Sequence, residues 1–244
     1  DSGVYYLLGR FAAARGNWNQ AFVWFASAKG DSSAQVAAAV ALKHGKGLKA
    51  ARDFLRRLRR HEPGLSPLWV ATEADLIDAD GRSAQAYAML SAAVKRYPMV
   101  RPLRYQRALL AARLDKPGVA IATLEQLVKV EPGDAEYLNA YGYMLTVHTR
   151  RYREGYGYIR RALNAHPDDP AILDSMGWVL YKLGKSKQAL GYLQRAHRGA
   201  ADTAVTVHLA TVYLALGRRA EAGKLIEAAL DSMIASLDPH SSYL

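Results

Sequence analysis

The sequence predicts an all-α protein, a linear array of about seven helix-turn-helix repeats. Three observations carry that expectation. Proline recurs at Pro63, Pro98, Pro132 and Pro167, at spacings of 35, 34 and 35 residues. A small residue stands 12 positions before each, at Ala51, Ala86, Ala120 and Gly155, and reappears without the proline at Ala21, Ala189 and Ala222. A glycine often precedes that small residue by five, as at Gly16, Gly81, Gly184 and Gly217.

Each mark has a physical reason. Proline disfavours helical geometry in the residue before it, so each recurring proline should end a helix. The glycines fall where one helix must stop and the chain reverse, which favours a residue tolerant of positive φ. The small residues fall where two helices of a hairpin approach closely. Alanine is abundant and β-branched runs are rare, which favours helix throughout.

In chain order, the first repeat carries Gly9, Ala21, Phe25 and Ala28 at the template positions. The second, from about Asp31 to Pro63, carries Ala39, Ala51, Leu55 and Leu58, with a turn one residue longer. In the third, a first helix is expected from Pro67 to Ala79, a turn at Gly81 and a second helix from Ser83 to Tyr97. Ala86, Leu90, Ala93 and Val94 there form one stripe, and Ala74 faces Ala86. The remaining repeats carry Ala108/Ala120/Leu124/Leu127, Gly142/Gly155/Ile159/Ala162, Gly177/Ala189/Leu193/Ala196 and Ala210/Ala222/Ile226/Ala229. A period of 34 with this pattern is the tetratricopeptide signature. One hairpin cannot bury its own apolar stripe, so stacked neighbours should build a solenoid.

The chain resembles a narrower group. The stretches "VYYLLGRFAAARGNWNQAFVWFASAKG", "YLNAYGYMLTVHTRRY" and "DDPAILDSMGWVLYKLGKSKQALGYLQRA" look like the bacterial tetratricopeptide lipoproteins of the outer membrane. That group includes a Pseudomonas adaptor that binds a carboxy-terminal processing protease. The resemblance covers roughly residues 4–230. It implies a protein-binding scaffold, not an enzyme, that holds such a protease and brings cell-wall hydrolases to it as substrates. It also implies a periplasmic, outer-membrane-associated location in the full-length protein and no cofactor. The chain opens at Asp1-Ser2-Gly3 without an initiator Met, so it is expected to be a fragment whose targeting signal lies upstream.

Two segments are distinguished: residues 1–230 as the repeat array and 231–244 as a tail. The tail "DSMIASLDPHSSYL" resembles the segment just before the PDZ domain of carboxy-terminal processing proteases. Two readings follow: a piece of the partner protease joined to the last repeat, or a coincidental capping segment. Leu230, Met233, Ile234 and Leu237 make an apolar helical stripe that Asp238-Pro239 should end. An apolar outer face on a terminal repeat is expected to cap the array, to self-associate, or to dock on the homologous helix of a processing protease. Met233, Ile234 and Leu237 are therefore candidate partner-binding residues.

The other candidates lie on the first helix of each repeat, which lines the inner, concave face if the family's geometry holds. They are Tyr6 and Arg10; Asp75 and Asp78; Tyr105 and Arg113; Asn139, Tyr143 and Thr146; and Asp174, Trp178 and Tyr181. Aromatics and amides mixed with single charges suit peptide recognition, since Tyr and Trp combine large contact area with a polar handle. The alternative is that Trp178 and Tyr143 pack between repeats. A carboxylate clamp would need a Lys/Asn/Arg set, and Asn139 alone matches it.

Net charge is +11 and Arg52, Arg56, Arg57, Arg59 and Arg60 form a dense patch. Nucleic acid or another anionic polymer is therefore the alternative partner. Against it, the base-reading positions of RNA-binding helical repeats vary here without pattern. Catalytic and metal motifs are not found. Gly45-Lys46-Gly47 joins two helices and not a strand and a helix. Asp75, Asp78 and Asp80 lack calcium-loop spacing. The seven histidines form no ligand cluster, and no cysteine exists to form a disulfide or thiolate site. Asp238, His240 and Ser241 include triad residue types, but near-consecutive residues of a short tail cannot hold triad geometry.

Overall fold

The structure, a computed structural model, describes residues 1–200 and 202–237. The chain is 83% helical, with thirteen α-helices, one short 3₁₀ turn and no strand among the described residues. The helices are α1 (Ser2–Ala14), α2 (Trp18–Ser27), α3 (Ser32–His61), α4 (Ser66–Asp78), α5 (Ser83–Arg96), α6 (Arg101–Arg113) and α7 (Pro117–Val130). They continue with α8 (Ala135–His148), α9 (Tyr152–Ala165), α10 (Pro170–Lys182), α11 (Ser186–Gly199), α12 (Thr203–Ala215) and α13 (Arg219–Leu237). Two compact units divide the chain, Asp1–Lys116 and the remainder from Pro117.

In the first unit the third repeat follows its expected bounds to within a residue, with helices at Ser66–Asp78 and Ser83–Arg96. Ala74, Ala86, Leu90 and Ala93 are buried together in one core cluster. The second repeat departs in form. Its two helices register as the single long α3, interrupted at Gly47, whose φ of 85° and ψ of 168° no helix contains. The arms 32–46 and 48–61 are thus the expected hairpin, and Ala39, Ala51 and Leu55 are buried in a common cluster with Ala21 and Phe25.

Turns repeat one geometry. At Gly81 (φ 79°) the following amide of Arg82 donates back to the Ile77 carbonyl at 3.1 Å. Lys185 does the same to Leu180, 2.9 Å, after Gly184. This six-to-one hydrogen bond satisfies a helix-end carbonyl that would otherwise be orphaned. Asp115 (φ 56°) occupies the equivalent place without being glycine, and Lys116 donates to Ala111 at 2.9 Å.

In the second unit α8, α10 and α12 share a start. The carboxylates of Asp134, Asp169 and Asp202 accept from the first-turn amides of Tyr137, Ile172 and Val205, respectively, at 2.9–3.0 Å. These aspartates satisfy first-turn donors and place negative charge at the positive end of the helix dipole. The backbones of α8 and α9 come closest at Gly142 and Gly155. A Cβ at either would stand 2.7 Å from the other's carbonyl oxygen. The last pair, α12 and α13, leaves one side open. Ala222 is buried, whereas Ile226, at the position filled by buried Ile159 and Leu193 in earlier repeats, is exposed.

Candidate functional site

Residues from α8, α10 and α12 converge in the second unit, where α10 lies against both of the others. The cluster is built outward from a buried pair. Asp174 and His208 are 7% and 8% exposed, and Nδ1 of His208 lies 2.9 and 3.0 Å from the two Asp174 oxygens. An ionised carboxylate only accepts, so Nδ1 carries the proton and donates. The Trp178 indole stacks on the imidazole, with centroids 4.0 Å apart and planes at 17°. Tyr181 stacks on Trp178 at 5.2 Å, and the Lys182 ammonium lies 4.6 Å from the Trp178 ring. A cation over an indole face is an attractive contact that strengthens where water is excluded.

Tyr143 of α8 completes the cluster, its ring 6.4 Å from that of His208. Burial, and then the negative charges of Asp174 and Asp202, push its hydroxyl above the ordinary tyrosine range. The phenol therefore stays protonated and able to donate. One turn earlier on α8, the side-chain oxygen of Asn139 is shielded from solvent, and no described residue donates to it. A buried acceptor without a donor is costly, so this oxygen marks a locally strained spot on α8 and, being shielded, is not itself offered to a ligand. The surface thus offers a phenol donor, two stacked aromatic rings and an ammonium.

The placement of the other inner-face candidates differs. Asp174 is committed to His208 and shielded, so its carboxylate orients the histidine and is not offered to a ligand. Thr146 is buried and donates to the Gly142 carbonyl at 2.8 Å. Tyr6 packs on Phe25 at 5.6 Å within the first hairpin, so its ring belongs to the core. Arg10 is exposed on the same helix. Asp75, Asp78 and Arg113 form a polar ladder between α4 and α6. Gln106 donates to Asp75 at 2.7 Å, Arg113 pairs with Asp78, and Ser83 donates to Asp78 at 2.6 Å. Partial desolvation, then repulsion by Asp78, raises the Asp75 carboxyl above its usual range. Tyr105, on the adjoining α6, is half-buried.

At the chain's far end, α13 continues without a break through 231–237. Met233 and Ile234 are 54% and 66% exposed. Met233 lines an apolar cavity of about 590 Å³ with Val207, Leu214, Ile226 and Leu230, and Ile234 lies outside that lining. The side chain of Leu237, and Asp238, His240 and Ser241, lie outside the described residues. Among the described residues no group of three or more His, Asp or Glu side chains could hold a metal ion. No described helix is long and apolar enough to cross a membrane.

His208 was not among the residues singled out by sequence. Its signal was a lone histidine within the otherwise uncharged run Val205–Tyr213, one repeat after an aspartate. The three N-capping aspartates, Asp134, Asp169 and Asp202, were not singled out either; their signal was an aspartate one to three residues ahead of an apolar helical pattern.

No protein-family model matches the chain. It is 35% identical over 170 residues to the TPR repeat-containing protein PA4667 of Pseudomonas aeruginosa. That match covers 70% of this chain, which spans only 29% of the length of that protein. Among solved structures, a tetratricopeptide repeat protein from Parabacteroides merdae superposes with a TM-score of 0.67 at 13% identity, covering 94% of this chain and 92% of that one. A thermophilic TPR protein of Thermus thermophilus gives 0.61 at 20% identity, over 68% and 90%. A chain of the APC/C hetero-tetramer Cut9–Hcn1 gives 0.70 at 15% identity, covering 99% of this chain and 45% of that one.

Proposed function

We propose that this tetratricopeptide-repeat protein is a scaffold that binds a carboxy-terminal processing protease in the periplasm, at the outer membrane, and helps deliver cell-wall hydrolases to it. The observation that carries protein binding is the surface of α8, α10 and α12. There the Tyr143 phenol stands in one cluster with His208 and the Trp178–Tyr181 stack. An extended peptide would accept from the Tyr143 hydroxyl and cover the aromatic faces. The choice of protease is supported by the resemblance of residues 4–230 to the lipoprotein adaptors. Residues 231–244 add to it by resembling the processing proteases themselves. A partner-derived tail and association through Met233, Ile234 and Leu237 belong to the same proposal.

The test is a pull-down of a purified Pseudomonas carboxy-terminal processing protease on the immobilised chain, with Trp178→Ala as the comparison. Retention should fall about tenfold in the variant, since truncating a central aromatic anchor commonly costs at least that much. Equal retention by both proteins would remove the surface from the account, and no retention by either would remove the protease. The net charge of +11 favours one competing reading, an anionic polymer as ligand. RNA or heparin binding that weakens steeply with salt, together with no protease retention, would establish it.

A further inference from the structure

Between the second arm of α3, α4 and α5 lies an open cavity of about 620 Å³. Half-buried Val70, Met89 and Tyr97 form its floor. Arg56, Arg60 and Arg96 are exposed at its rim, with Arg59 set deeper. This volume is in the range that accepts a ligand group or a large anchoring side chain.

The arginines are held but not neutralised. Glu73, 1% exposed, receives Arg52 and Arg59 at 2.7 Å each, so one carboxylate serves two guanidiniums. Asp53 is shared between Lys49 at 3.1 Å and Arg56 at 2.8 Å. The Arg96 guanidinium lies 5.5 Å from the centre of the Tyr97 ring. Arg60 makes no ion pair among the described residues. Around the cavity the cations therefore outnumber the carboxylates they meet, while the floor is uncharged. Ser66, on the cavity wall, is nine residues from Asp75, about two and a half helical turns. The cavity thus opens on the opposite side of α4 from the Asp75–Gln106 contact.

We propose that this cavity is a second protein-docking site, taking an acidic amphipathic segment of a partner. One aliphatic or aromatic side chain enters the floor, and flanking carboxylates pair with Arg60, Arg96 and Arg56. Planar guanidiniums match carboxylates bidentately. A phosphate backbone would use the arginines and leave Val70 and Met89 uncovered, which is why a protein segment fits better than a nucleic acid. The proposal rests on the scaffold reading but uses no residue of the α8–α10–α12 surface.

The test uses the full chain and a dye-labelled, end-blocked peptide of sequence EELFEE, with KKLFKK as its charge-reversed control, read by fluorescence anisotropy. Saturable binding of EELFEE in roughly the 10–100 μM range is expected, with none of KKLFKK. Arg60→Glu/Arg96→Glu, and the milder Arg60→Ala/Arg96→Ala, should weaken binding about tenfold or more with an unchanged helical circular-dichroism spectrum. Trp178→Ala should bind EELFEE like the parent chain, which separates this site from the one proposed for the protease. No binding of EELFEE, equal binding of KKLFKK, or indifference to both arginine pairs overturns the proposal. So does binding of phosphatidylglycerol vesicles or heparin that the arginine variants abolish while EELFEE fails to bind.

Discussion

At the scale of single residues, space beside the backbone decides which small side chains are obligatory. Gly155 and Gly157 sit two residues apart on α9, yet their surroundings are opposite. A methyl at Gly155 meets the Gly142 carbonyl and the Thr146 hydroxyl, each at 2.7 Å, whereas one at Gly157 meets nothing within 4 Å. Gly155→Ala should therefore destabilise by about 1–3 kcal/mol through overpacking. Gly157→Ala should stabilise by about 0.5–1 kcal/mol by restricting the unfolded chain. Denaturant titration of the two variants checks both signs. Asp75 gives a pH-dependent counterpart. Its folded pKa is raised above the reference value of 3.8, so its ionised form is disfavoured in the fold. The folded state then holds the proton more tightly than the unfolded chain does. Stability contributed by this group falls as pH rises from the ordinary carboxylate range through the raised folded value. Asp75→Asn keeps a partner for Gln106 and removes the repulsion with Asp78. It should raise the melting temperature by about 1–2 °C at roughly pH 7 and leave it unchanged at about pH 3. Melting curves at the two pH values read this directly.

At the scale of helices and hairpins, the repeat was legible because its marks are local and steric. The small residues at Ala74, Ala86, Ala120 and Ala189 are buried as their spacing predicted. Ala86→Leu and Ala189→Leu should each destabilise by roughly 1–3 kcal/mol, with hydrogen-exchange loss concentrated in the altered repeat and its neighbours. Other features depend on partners distant in sequence and could not be read the same way. Gly47 is the turn between the two arms of the second repeat, its φ of 85° lying outside any helix. Asp115 adopts the left-handed turn although no glycine marks it. The inner-face positions were identified by register, yet register cannot tell an offered side chain from a committed one. Asp174 proved to be committed, because its partner His208 lies 34 residues further on. Tyr6 likewise faces Phe25 of its own hairpin.

At the scale of the whole chain, function follows from what repetition leaves over. Each repeat supplies the next with a face to bury, and the side chains not consumed in stacking differ from repeat to repeat. In the second unit that remainder is an aromatic surface. In the first it is a ladder of Asp75, Asp78, Gln106 and Arg113, with an arginine-rimmed cavity on the other side of α4. The proposed scaffold role rests on these leftover surfaces, since contact surfaces are what a stacked helical array offers a partner. The measurement that tests this most directly is hydrogen–deuterium exchange of the intact chain with and without the processing protease. Protection on binding should concentrate in α8, α10 and α12, over residues 135–148, 170–182 and 203–215. Protection confined to other segments, or no change anywhere at saturating protease, would contradict it.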